Sequence, residues 1–303
     1  MKKTPPQAGS PGKKPAGAKP ARKGVPGSKS AGGKTYGTKP HGTKPAGHGS
    51  KPHGAKPHGA KPVRKAVVAR VAERNAAEVA ADAAQLHDGV AALGLALPAD
   101  AEARLIAYLD FLHTWNRFHN LVGTKDRGQY VTRHLLDCLV LSPHLAAGHW
   151  LDLGSGAGLP GLVLAIARPD QSWCLVDKST KKAQFLTQAV LALQVTNARV
   201  HHGDLTKLPP EPPAVGVCCR AFGALAGIES VCRPLIRPGF QILAMKGRVT
   251  EEELAPLRAG APPPTASPPT APPPAAPPPA QIEVIPLVVP GLAEERHLIR
   301  LVY

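Results

Sequence analysis

From His149 onward the sequence predicts an α/β fold, a doubly wound and mostly parallel seven-stranded sheet. Three observations predict it. Short apolar runs alternate with stretches of helical periodicity, as in parallel strands covered by helices on both faces. The first run feeds into three glycines at alternate positions, Gly154, Gly156 and Gly158. The second run ends in an acid, Asp177.

The elements follow in order. Residues 66–96 are Ala-rich with apolar positions at helical spacing and end near Gly94. Pro98 and the acids Asp100 and Glu102 mark the next helix start. Leu105, Ile106, Leu109, Leu112 and Trp115 follow a 3.6-residue period, so a helix is expected over 99–118. A further helix is expected over 127–144. Strands are expected at 150–153, 173–176, 198–202, 215–219, 240–245, 282–288 and 297–302. Helices are expected at 160–167, 179–194, 224–236 and 250–258. The reading is thus a basic tail (1–65), an N-terminal helical region (66–148) and an α/β domain (149–303).

Charge and composition set the tail apart. Residues 1–65 hold fourteen Lys, two Arg and no acid, which equals the net charge of the whole chain, +16. The other 21 basic residues balance 21 acidic ones, so residues 66–303 are formally neutral. The tail repeats Lys-Pro-His-Gly units at Lys39, Lys51 and Lys56. Pro and Gly at this density oppose both helix and sheet, and little apolar area is present to offset the entropy of ordering. Disorder is expected there, with loose non-specific contact to nucleic acid. Its histidines 41, 48, 53 and 58 are not taken as a metal site, and no metal is expected. The Pro-rich run at about 258–281 reads as polyproline looping out between late strands. Five cysteines without paired spacing and the lack of a signal peptide point to a reducing, cytoplasmic setting. No apolar run approaches the ~20 residues of a membrane span.

The glycines carry the chemistry. They let the chain turn tightly at the strand's carboxyl end, which in a doubly wound sheet is the ligand crevice. A dinucleotide fingerprint needs a third Gly at position 159, but Leu159 stands there, followed by Pro160. The GxGxG loop preceded by Asp152 is instead the pattern of class I (Rossmann-like) methyltransferases around S-adenosylmethionine. Asp177 is placed to accept from a ribose diol, or else to cap the next helix. Asp204 ends the third strand, beside an adenine or as a plain turn residue. Arg220 ends the fourth, aimed at a carboxylate or a base oxygen, or else held in an ion pair. Cys219 raises a covalent pyrimidine mechanism, but its apolar strand favours core packing.

These motifs fall into a larger pattern. Trp115-Asn-Arg-Phe-His-Asn-Leu121, Arg133-His-Leu-Leu-Asp137, Asp152-Leu-Gly-Ser-Gly-Ala-Gly-Leu-Pro-Gly161, Arg220-Ala-Phe222, Lys246-Gly247 and Glu295-Arg-His-Leu298 occur in that order. With them the chain resembles the RsmG (GidB) family of 16S ribosomal RNA guanine-N7 methyltransferases, over roughly 82–257 and 282–303. The resemblance implies S-adenosyl-L-methionine as donor and a guanine in the decoding-region loop of the 30S subunit as target. By matching positions it places Gly154, Leu159, Leu205, Thr206 and Arg220 around the donor. The tail, the Pro-rich insertion and Cys219, where the family usually has Ser, depart from it.

Guanine N7 carries a lone pair and no proton, so no general base is expected and catalysis rests on alignment. Arg220, with Arg133 and His134 on a helix over the pocket, would position the base or the donor. A structural role for His134 is the alternative. A monomer is expected. The competing readings are a methyltransferase for another RNA base, an NAD-binding oxidoreductase, which Leu159 opposes, and a nucleic-acid-compacting protein driven by the tail.

Overall fold

A computed structural model describes residues 75–124, 126–208, 212–259 and 277–303. Of two units, Met1–His58 and Gly59–Tyr303, only the second holds described residues. The basic tail and most of the Pro-rich run lie outside the described residues.

Helix α1 (Ala76–Ala92) starts where the Asn75 side chain accepts from Ala77 N. Gly94, in the left-handed region, closes it at the predicted point. Helix α2 (Ala101–His119) buries Leu105, Ile106, Leu109 and Leu112 of the predicted face, with Trp115 partly buried and Tyr108 added to it. Its end is capped by left-handed Asn120.

The single helix expected over 127–144 is a correction. The chain instead forms a 3-10 turn (Arg127–Gln129), a π-helical segment (Val131–Leu136), the short α3 (Asp137–Leu139) and a second 3-10 turn (Ser142–His144). Asp126 caps Gly128 at one end, and Pro143, which lacks an N–H, tightens the other. The wide π turn recurs at functional sites in proteins generally.

The α/β part follows the predicted order: β1 (His149–Leu153), α4 (Gly161–Ala167), β2 (Ser172–Asp177), α5 (Thr180–Ala192), β3 (Ala198–His202), β4 (Gly216–Arg220), α6 (Leu225–Cys232), β5 (Gln241–Lys246), α7 (Glu251–Arg258), β6 (Gln281–Leu287) and β7 (Arg296–Val302). The sheet runs β3-β2-β1-β4-β5-β7-β6. β1 to β5 are parallel, and β7 is antiparallel to β5 and β6. The strand order reverses between β1 and β4, where a doubly wound sheet opens its crevice.

Two apolar layers cover the sheet. One joins α1, α2 and the π segment to α4, α5 and one sheet face through residues such as Leu112, Leu135, Ile166 and Phe185. The Phe185 ring packs against Phe111 and Trp115 of α2. The helical lead-in therefore shares the core of the α/β part. The other layer sets α6 and α7 against the opposite face.

Candidate active site

A cleft of about 600 Å³ opens at the carboxyl ends of β1, β4 and β5. Its first wall is the glycine loop after β1. Gly154, Gly156 and Gly158 all have positive φ, at 69°, 57° and 85°, which L side chains resist. The loop is held from three directions. From β2, Asp177 Oδ2 accepts from Gly156 N at 2.9 Å. From below, Asp152 Oδ2 accepts from Gly161 N at 3.0 Å. From α2, the buried Tyr108 hydroxyl donates to Ala157 O at 2.7 Å. Burial pushes the Asp152 carboxyl up to about 6.

The opposite wall is charged. Asp137, its side chain 3 % exposed, accepts from Arg220 at one oxygen and Arg296 at the other, both at 2.9 Å. Arg220 also donates to Arg133 O at 2.8 Å. Arg133 itself pairs with Glu294. The segment Leu121–Thr124 forms the rim, and Asn116 clamps it by bonding both N–H and C=O of Val122. Asn116 belongs to the Trp115–Leu121 motif, whose role the sequence left open.

Among the described residues, Arg133, Lys182, Arg220, Lys246 and Arg296 line the cleft against one carboxylate, Asp137. Glu294 and Glu253 pair with Arg133 and Lys246 beside the cleft, so its lining keeps an excess of positive charge in a formally neutral domain. A concave, low-dielectric wall of one sign focuses its field on an anionic partner.

His134 lines the same cleft, its ring 4.8 Å from that of Tyr130 between centroids. It is 4 % exposed, and among the described residues neither ring nitrogen meets a hydrogen-bond partner. Burial first, and then the Arg220 charge, lower its pKa to about 4. The imidazole is neutral at neutral pH. Cys219 is buried, and burial raises its thiol pKa strongly, which leaves no thiolate for covalent chemistry. All five cysteines are free and buried.

The cleft thus gathers Arg133, His134, Gly154, Gly156, Leu159 and Arg220 from the residues expected at the site. Others lie off its wall. A Cβ on Gly158 would sit 2.7 Å from Leu162 Cβ, so this glycine lets the loop pack on α4. Asp177 Oδ1 accepts from Ser179 N, but the N-cap of α5 is Ser179 and Asp177 reaches no N–H within the helix, so its carboxylate tethers the glycine loop and the turn before α5 instead of capping the helix. Asp204 pairs with Lys178, and Leu205 is buried. Thr206 lies in the 3-10 turn Leu205–Lys207. Arg220 is held in the ion pair weighed against a ligand role, yet it still faces the cleft. Sequence reasoning missed Asp137, Lys182, Lys246 and Arg296 as site residues. Asp137, Lys246 and Arg296 stood within recognised motifs, which was the available signal.

A doubly wound sheet with a glycine-loop crevice at the strand reversal, walled by cations, defines a nucleotide-type binding α/β protein. Residues 101–261 match the family described as rRNA small subunit methyltransferase G, GidB. A protein of Methylobacillus flagellatus named ribosomal RNA small subunit methyltransferase G is 41% identical over 215 residues, covering 71% of this chain and 95% of that one. Its namesake in Stenotrophomonas maltophilia is 42% identical over 217 residues, covering 72% and 93%. The chain belongs to this family of methyltransferases. The oxidoreductase reading is thereby displaced. Among solved structures, a precorrin-6Y C5,15-methyltransferase of Geobacter metallireducens matches at TM-score 0.40 and 12% identity, covering 60% of this chain and 90% of that one. A methyltransferase of Thiobacillus denitrificans in complex with S-adenosyl-L-homocysteine matches at TM-score 0.32 and 23% identity, covering 50% and 61%.

Proposed function

We propose that this chain transfers the methyl group of S-adenosyl-L-methionine to N7 of a guanine in the decoding-region loop of 16S rRNA, within the 30S subunit. The observation that carries the reading is a cleft with five cations, a neutral histidine and no thiolate. Such a site orients an anionic partner, while its bases are weak or engaged: His134 is lowered to about 4 and Asp137 is held by two arginines, which suits an atom that carries no proton.

The loop fits the donor. A Cβ at Gly156 would meet nothing closer than Gly154 O at 3.7 Å and Lys182 Nζ at 3.9 Å, so space opens above the loop beside a cation. Lys182 would hold the carboxylate of the amino-acid end. Gly156 and Leu159 would form the cradle, with Gly154 contributing backbone only and Gly158 fixing the loop on α4, and with Asp177, Asp204, Leu205 and Thr206 toward the adenosine end. When bound, the donor supplies a methyl group on a positively charged sulfur. Arg220 and Arg296, fixed by Asp137, would face the RNA with Arg133 and Lys246. A guanidinium suits guanine O6 or a phosphate. RNA loops present splayed-out bases to such a pocket.

The basic tail would add sequence-independent affinity by counterion release. Deleting residues 1–65 should then flatten the salt dependence of RNA binding; an unchanged salt slope would remove the tail from the interface. The protein is read as a cytoplasmic monomer.

The direct experiment is mass-spectrometric mapping of small-subunit rRNA from cells with and without this protein. One 7-methylguanosine in the decoding-region loop should vanish in its absence. Persistence of that modification would overturn the reading. Calorimetry with S-adenosylmethionine tests the donor separately.

A further inference from the structure

The motif Arg220-Ala-Phe222 is only partly explained by the ion pair of its arginine. β4 ends at Arg220, and Ala221 then takes φ 53°, a left-handed backbone that alanine rarely adopts. Such conformations persist where the surroundings enforce them, and they gather at functional sites. Gly223 follows at φ 115°. The turn is braced from behind. Lys246 Nζ donates to Gly223 O at 2.6 Å and pairs with Glu253, which also accepts from Leu225 N.

The consequence is the position of Phe222. Its ring lies on the glycine loop, where a Cβ at Gly154 would come 2.7 Å from Cε2. The missing side chain of Gly154 therefore seats the ring. Yet Phe222 remains 37% exposed. Of the exposed large apolar residues Phe118, Leu191, Phe222, Val284 and Val288, Phe222 is the one seated on this loop. Ala221 before it and Gly154 beneath it both line the cleft. Phe222 adjoins the cleft through these two neighbours rather than lining it, and a strained, braced turn holds its partly exposed ring beside the cationic opening.

We propose that Phe222 is the platform on which the target base stacks, resting on the reading of the cleft as an RNA-base methyltransferase site. Nucleobases lifted from an RNA loop are held on aromatic faces. The reaction adds a second reason for an aromatic ring. The N7 lone pair forms the new bond to the methyl carbon. The methyl–sulfur bond breaks and its electron pair stays on sulfur. Positive charge thus passes from sulfur to the purine, and no proton moves. A π face attracts that developing cation, whereas an aliphatic side chain of similar bulk does not. Phe222 would therefore act on kcat as well as on RNA affinity.

The test compares full-length Phe222→Tyr, Phe222→Leu and Phe222→Ala with wild type, assayed on small-subunit particles. Calorimetry with S-adenosylmethionine and thermal melting run alongside. Phe222→Tyr should keep kcat/KM within about threefold of wild type. Phe222→Leu, which still covers Gly154, should lose about tenfold, mostly in kcat, and Phe222→Ala about 30-fold or more. Donor affinity should change less than about twofold in Phe222→Leu. Wild-type kcat/KM in the Leu variant, or a loss of donor affinity that accounts for the whole defect, would overturn the platform. If wild type itself leaves the RNA unmethylated, the underlying reading fails instead and takes the platform with it.

Discussion

The two walls of the cleft are built by opposite means. The β1–β2 wall is backbone: three glycines in left-handed geometry, with Asp177 on the N–H of Gly156 and Asp152 on that of Gly161 just beyond them. The β4–β7 wall is side chain: Arg220 and Arg296 on one buried Asp137, with Arg133 and Lys246 beside them. A backbone cradle discriminates by shape and tolerates a small donor that is the same in every turnover. A charged wall works through the field it places on a polyanion. The difference teaches that the neutral overall charge of residues 66–303 is a poor guide to how this domain meets RNA.

The largest expected effect breaks the charged wall. Asp137→Ala leaves two partly buried guanidiniums without their carboxylate, and removing one partner of a buried ion pair costs about 3–5 kcal/mol. A fall of this size in unfolding free energy, read as a lowered denaturant midpoint, is expected, with RNA methylation lost. A wild-type midpoint would mean that Asp137 does not organise the wall.

The next effect is one of pH. The folded pKa of His134 is lowered to about 4 from 6.5. Its contribution to stability is present above pH 6.5 and is lost as pH falls toward 4, at most about 3 kcal/mol. Asp152 runs the other way: its folded pKa is raised from 3.8 to about 6. Its contribution is present below pH 4 and is lost as pH rises to 6. The two partly offset each other in wild type. His134→Leu should therefore gain stability relative to wild type on acidification from pH 6.5 to 4, read as unfolding midpoints at each pH. Equal pH slopes in both proteins would contradict the burial of a neutral His134.

The backbone wall should respond more gently. Tyr108→Phe removes the hydroxyl that holds Ala157 O, at a cost of about 1–2 kcal/mol. Donor affinity should weaken while the salt dependence of RNA binding stays at its wild-type slope. A changed salt slope would merge the two walls into one. Smallest of all, Cys219→Ala should keep methylation within about twofold, since its buried thiol is not ionised. Loss of activity with an intact fold would reopen covalent catalysis.

The two walls also differed in how far they could be read from sequence. Apolar periods and the alternate glycines located every strand of the sheet and the donor loop, because both are local signals within a few residues. Leu159 alone was enough to set aside the dinucleotide pattern. The helix expected over 127–144 failed because the chain alternates between 3-10 and π turns there, which apolar residues at near-helical spacing do not distinguish from one α-helix.

The charged wall was legible only as separate motifs. Arg133, Asp137, Arg220 and Arg296 come from a π turn, a short helix and two strands, and the Asp137–Arg296 contact spans 159 positions. Nothing in a linear pattern says which of two arginines a given aspartate will neutralise. That depends on β7 entering the sheet beside β5, antiparallel to it, and on the helical lead-in packing into the same core. The glycine loop of Gly154–Gly158 was thus written in the chain itself. The cationic wall opposite it exists only once long-range packing brings those charges into contact.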